Sequence, residues 1–258
     1  MAKSDTFNAE RFWRYFKHDL SRNFRNNALT VLLTGLVPVY VFALAFIFNT
    51  AIGYPFWTID KHGTDLFFGV TSVLFLLFYP ISAYANATSQ NDGRTFLMLP
   101  ASNIEKFLST AVISLIIAPA VFMAIFFGCE LILNSAFSSR YVEPAYKEVL
   151  GSIFLPLATV NNSIRITGFS TFFLPLMVSS AGLCGCFIFK KGKKAKTFIT
   201  CAISFILLAI IAILIVDRYD GIGLILSKYG SWIWLIFETV CAIACLTYTY
   251  FRMKTIEL

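Results

Sequence analysis

Six long apolar stretches, at 28–49, 65–86, 109–134, 169–189, 197–216 and 231–251, constrain this chain more than any other feature. Crossing about 30 Å of hydrocarbon takes roughly 20 residues of helix. Each stretch meets that length. Backbone polar groups cannot stay unpaired in lipid, so a spanning segment must be helical or part of a closed barrel. These runs are apolar on every face, which excludes the alternating strands of a barrel. Charge content agrees: 14% of residues are charged, against about 25% in a soluble domain. Mean hydropathy is +0.74, and 28 of the 258 residues are Phe. The expected fold is an all-α integral membrane protein with six transmembrane helices. An N-terminal amphipathic interfacial helix precedes them, and both termini are cytoplasmic.

Orientation follows from the basic residues. Fifteen of the 21 Lys and Arg fall in 1–27, 87–108, 190–196 and 252–258, the segments on one side of the alternating spans. Lys and Arg are retained on the cytoplasmic side, so those segments are expected inside. This divides the chain into a cytoplasmic elbow segment (1–27), a six-helix domain (28–251) and a cytoplasmic tail (252–258). The run Lys190-Lys191-Gly192-Lys193-Lys194-Ala195-Lys196 is the strongest anchor. It reads as a topology signal beside anionic lipid, or as a specific lipid or regulator site. The net charge of +7 sits beside apolar spans, which favours a bilayer partner and no nucleic acid. The first span follows a long charged segment without a small-residue cleavage site, so no removable signal peptide is expected.

Ahead of the first span, Ala9, Phe12, Trp13, Phe16, Leu20 and Phe24 share one helical face. Arg11, Arg14, His18, Arg22 and Arg25 lie outside it. Such a helix lies in the interface rather than crossing it, as an anchor or as an elbow with a mechanical role. Pro38, Pro80, Pro119 and Pro175 fall inside the first four spans and mark expected kinks. The longest external connection is 135–168, and its apolar part around Ile153–Pro156 suggests a short interfacial helix.

The absences narrow the chemistry. There is no Gly-x4-Gly-Lys-Ser/Thr. The two histidines, His18 and His62, lie outside the spans, and apart from Asp65 at the first position of the second stretch no Asp, Lys or Arg lies within one. Paired-Asp proteolysis, His-based metal chemistry and a Ser nucleophile with a neighbouring base are therefore unsupported, and no enzymatic activity, bound cofactor or metal is expected. The six cysteines all fall in apolar segments, which disfavours a disulfide framework. Two carboxylates remain in the body of the spans, away from their first residues: Glu130 and Glu238. Ionisable groups at such depth are costly and often functional. Glu130 sits near the outer end of its span and can reach the interface. Glu238 lies deeper, where it can carry function or bridge helices.

The loop between the second and third spans is the most informative stretch. Asp92-Gly93 is a turn signal. Ser102 followed by Glu105 has capping-box spacing for a helix beginning near Asn103. Between them, Phe96-Leu97-Met98-Leu99 is an apolar run ended by Pro100. An apolar element on a polar loop suits a partner surface, or a loop lying in the interface. Leu97-Met98-Leu99-Pro100-Ala101-Ser102-Asn103-Ile104-Glu105-Lys106 resembles the Leu-x-Leu-Pro-x-Ser pattern, followed by a basic residue and the next helix, of ABC-2-type exporter permeases. Those proteins also have an amphipathic elbow helix and six spans with both ends inside. The resemblance implies that the segment from Arg94 to Lys106 docks on a separate P-loop ATPase, with Arg94, Leu97, Leu99, Pro100, Ser102, Glu105 and Lys106 as coupling candidates. It also implies a second permease copy or a related permease, ATP used only by the partner chain, and a multi-pass location in a bacterial plasma (inner) membrane. Two other functions fit the residues: a non-transporting membrane scaffold or assembly subunit, and an ion-coupled carrier using Glu238.

Overall fold

A computed structural model describes residues 7–53, 61–84, 101–138, 158–160, 163–165, 167–189, 192–218 and 222–256; at 61–62, 158–160, 163–165, 167–173, 205, 207–218, 222–234 and 256 the description covers the backbone alone. Eight α-helices make up nearly all of the described chain. They are α1 (Ala9–Gly35), α2 (Val37–Ile52), α3 (Lys61–Tyr84), α4 (Asn103–Val112), α5 (Ala118–Ala136), α6 (Thr167–Ile188), α7 (Lys193–Arg218) and α8 (Ile222–Ile256). A π-helical turn, Ile113–Ile117, joins α4 to α5. A short antiparallel hairpin pairs β1 (Ala158–Val160) with β2 (Ser163–Arg165), in the register Ala158↔Arg165. It is the one departure from an all-helical chain among the described residues. The expected interfacial helix near 153–156 lies outside them.

Among the described residues, three helical segments are long and apolar enough to cross a membrane: Gly63–Tyr84, Asn103–Ala136 and Leu235–Thr255. The bent pair α1 and α2 passes the same test when taken together, giving up to four. The distribution of polarity is inverted relative to a water-soluble protein. Leu44, Phe48, Ile132 and Ile243 are all more than 60% exposed, whereas Glu105, Lys106, Glu130 and Glu238 are at most 1% exposed. In water this would leave a large apolar surface uncovered and fully bury charges that normally stay solvated. In lipid the same arrangement puts hydrocarbon against hydrocarbon and polar groups against one another.

The helix boundaries refine the sequence reading. No Gly or Pro falls near residue 27, so α1 continues past the expected elbow to Gly35. The chain breaks instead at Leu36, where α1 and α2 meet at a 40° bend. Pro38, in the first turn of α2, supplies the cause: it has no N–H to give, and its ring disfavours a helical residue ahead of it. Pro119 works differently. The turn before it widens so that the Ala118 N–H bonds to the Ile113 carbonyl, relieving the contact a proline makes with the preceding turn. Pro80 and Pro175 sit inside α3 and α6 without ending them. Helix α8 starts at Ile222, so the loop expected up to residue 230 is helical backbone instead.

Packing relies on rings and on small residues. Phe75 of α3 stacks on Phe122 of α5 at 4.5 Å, and Phe68 meets Phe126 edge-on at 5.2 Å. These form one core with Val31, Leu76, Tyr79, Ala118 and Phe127. Without a hydrophobic force between helices in lipid, close backbone approach supplies much of the attraction. Glycine makes that approach possible at two points on α6. A Cβ on Gly182 would lie 2.4 Å from the Leu77 carbonyl oxygen of α3, and one on Gly185 would lie 2.1 Å from the Thr197 hydroxyl of α7.

A second core gathers the ends of several helices. Tyr15 of α1, Ile81 and Tyr84 at the end of α3, Ala101 ahead of α4, Leu183, Cys186 and Phe187 at the end of α6, and Met253 at the end of α8 all pack together. That end of the bundle carries the candidate site.

Candidate functional site

The site begins with a helix start. Ser102 caps α4: its hydroxyl accepts the Glu105 N–H at 3.4 Å, and the Glu105 carboxylate accepts the Ser102 N–H at 2.9 Å. This is the capping box that the spacing predicts. The structure gives the same carboxylate three further donations from α1. Arg11 Nε reaches Oε2 at 2.8 Å, Arg11 Nη2 reaches Oε1 at 2.7 Å, and the Asn8 backbone N–H reaches Oε1 at 2.9 Å. Asn8 in turn caps α1, its side chain accepting the Glu10 and Arg11 N–H groups. One carboxylate thus terminates two helices at once and holds them with a forked, charge-assisted guanidinium pair.

A second carboxylate lies two turns further along α1. Asp19 is buried, and Ser109 of α4 donates to its Oδ2 at 2.8 Å. Tyr84, the last residue of α3, donates to the same oxygen at 3.1 Å. The Asn23 amide donates to Asp19 Oδ1 and to the Tyr84 hydroxyl, both at 3.1 Å, and Asn27 continues the chain to Asn23 at 3.4 Å. A buried carboxylate is tolerable only with such donors around it. The two stems of the segment between α3 and α4, Tyr84 on one side and Ser102 to Ser109 on the other, are therefore tied to the same helix.

The face of α1 that makes these contacts differs from the sequence expectation. Tyr15, Asp19, Asn23, Asn27, Val31 and Gly35 are all buried, and they recur every four residues in line with Arg11. The expected aromatic face splits: Phe16 packs inward, whereas Trp13 and Phe24 stay about half exposed. Arg11 belongs to the clamp and not to a free basic face. The fixed i, i+4 spacing from Arg11 through Tyr15, Asp19, Asn23 and Asn27 is the sequence signal for this row.

Of the coupling candidates, Arg94, Leu97, Leu99 and Pro100 lie outside the described residues. Ser102, Glu105 and Lys106 are brought together, but all three are buried. Glu105 and Lys106 are thus enclosed by the chain, and Ile104 and Leu108 are the exposed residues of this turn. Glu130 of α5 is enclosed by the chain, so its carboxylate does not run out to the surface. Glu238 of α8 is also fully enclosed and lies on a different helix from the clamp. Among the described residues no group of three or more His, Cys, Asp or Glu could hold a metal ion. No protein-family model, curated protein or solved structure matches the chain.

Proposed function

We propose that this chain is the permease subunit of an ATP-driven export system, forming the membrane pathway and taking its work from a separate P-loop ATPase. It crosses a bacterial plasma membrane six times with both termini in the cytoplasm, and pairs with a second permease to complete the pathway. The observation that carries the reading is the double tie at the head of α4. The segment between α3 and α4 is the one resembling an ATPase-docking element. Its stems are joined to α1 through Glu105–Arg11 and through Asp19 with Tyr84 and Ser109. A push on that segment would pass into α1, a helix of 27 residues, and from there to the bend at Leu36. Only a contact that differs between two states can drive such a shift, so docking must strengthen or loosen the tie as the ATPase closes.

Support for the topology comes from the shared core: α3, α6 and α8 end there, and α4 begins there. Successive helices then run in alternating directions, and the described basic residues Lys193, Lys194, Lys196, Arg252 and Lys254 fall on one side. ATP is hydrolysed by the partner chain. Affinity purification of the chain from its native membranes in mild detergent should bring down a P-loop ATPase in near-stoichiometric amount. Its absence under conditions that preserve other membrane complexes would sink the reading.

A further inference from the structure

Helix α1 is held against α4 at one level and against α5 at another, and it stands apart from them in between. At the first level Ser109 donates to Asp19 at 2.8 Å. At the second, a Cβ on Gly35 would lie 2.6 Å from the Ile125 side chain. Between the two, the π-helical turn Ile113–Ile117 and the small side chain of Ala28 line an open groove of about 290 Å³. On α1 the groove runs from Leu20 to Val31, about 16 Å along the helix. Its far half is apolar, walled by Val31, Ile117 and Val121. Two polar side chains also line it, Asn27 of α1 and Tyr79 of α3, and both are more than nine-tenths buried. Among the described residues the Asn27 amide makes one long hydrogen bond, at 3.4 Å to Asn23, and the Tyr79 hydroxyl makes none. Buried polar groups are normally paired, so a molecule seated here has to bring hydrogen-bonding groups as well as a chain.

We propose that the groove holds one anionic phospholipid of the surrounding bilayer. One acyl chain lies along Val31, Ile117 and Val121. The ester carbonyls accept from the Asn27 amide and the Tyr79 hydroxyl, and the phosphate meets Lys17. Depth fits this occupant: Asn27 is the last residue before the apolar stretch that starts at 28, the level at which the polar interface gives way to hydrocarbon. Charge fits as well. Arg11 is occupied by Glu105 and Arg14 by Glu10, whereas Lys17 is exposed and has no acidic partner among the described residues. On the α1 wheel Lys17 lies within about 20° of Phe24 and Ala28, one turn ahead of Leu20. From there its long stem carries the ammonium to an interfacial phosphate. The inference needs the chain to lie in a bilayer and is independent of the exporter reading.

Native mass spectrometry identifies the occupant. The full chain in detergent is mixed with equal amounts of phosphatidylglycerol and phosphatidylcholine, and the lipids that stay bound are weighed with it. The expected result is one tightly held lipid per chain, with phosphatidylglycerol favoured. Ala28→Trp fills the groove and should lose that lipid. Lys17→Gln changes an exposed residue and leaves the groove in place; it should keep the lipid but lower the preference about fivefold, the effect of one basic residue at an anionic surface. Equal retention of the two lipids by the unaltered chain, an unchanged preference in Lys17→Gln, or a lipid that survives Ala28→Trp would overturn the proposal. So would a dimer of the unaltered chain that Ala28→Trp splits, because the groove would then belong to a second copy.

Discussion

Gly182→Val should leave little folded protein in detergent, with a thermal midpoint on the order of 10 °C below that of the unaltered chain. The reason is a backbone obstacle. The first carbon of any side chain at 182 would lie 2.4 Å from the Leu77 carbonyl oxygen and 3.2 Å from its carbon. A flexible side chain can swing aside; a carbonyl inside α3 cannot do so without moving the helix. Overpacking of this kind typically costs about 1–3 kcal/mol, and valine belongs at the upper end because it adds two more carbons behind the first. In a chain of this size each kcal/mol shifts the midpoint by about 2–4 °C. Gly128→Ala provides the contrast. Nothing lies within 4 Å of its Cβ position, and alanine is the better helix former by roughly 0.5–1 kcal/mol, so it should be neutral or stabilising. Equal midpoints for Gly182→Val and Gly128→Ala would mean that α3 and α6 do not cross at this point.

The second large effect belongs to Glu105. Glu105→Ala removes the acceptor for two backbone N–H groups and for Arg11, and should cost about 2 kcal/mol of stability from the lost helix caps alone. Glu105→Arg should be worse, because it sets two guanidinium groups against each other where the side chain at 105 has no exposure. Pairing it with Arg11→Glu restores opposite charges. The double variant should therefore be more stable than either single reversal, while staying below the unaltered chain because the Asn8 and Ser102 N–H groups still lack their carboxylate acceptor. A double variant no better than the worse single one would show that Arg11 and Glu105 do not face each other.

The sequence states its helices through long apolar runs, and it states the start of α4 through Ser102 and Glu105, because both features are local. What it hides is pairing across distance. Arg11 and Glu105 are 94 positions apart, and Asp19 and Ser109 are 90 apart. No local pattern announces that a basic residue on an amphipathic helix will answer a capping glutamate. Asp19, Asn23 and Asn27 were legible only as a row at i, i+4. A wheel that sorts residues into aromatic and basic faces leaves such a row between the two. The continuation of α1 to Gly35 has a similar cause. A change from polar to apolar composition at residue 28 is a change of solvent for the helix and not a reason for it to stop; Pro38 is such a reason. The cluster of helix ends around Tyr84 and Met253 needed three dimensions, although the basic segments had already assigned those ends to one side.

These ties matter for function only if force passes through them. The most direct measurement is ATP hydrolysis in proteoliposomes by the partner ATPase we propose, with and without this chain. The account predicts faster hydrolysis with the unaltered chain, and a rate close to that of the ATPase alone with Glu105→Ala present at equal amount and still folded. An identical rate with the unaltered chain, with Glu105→Ala and with no chain at all would contradict it.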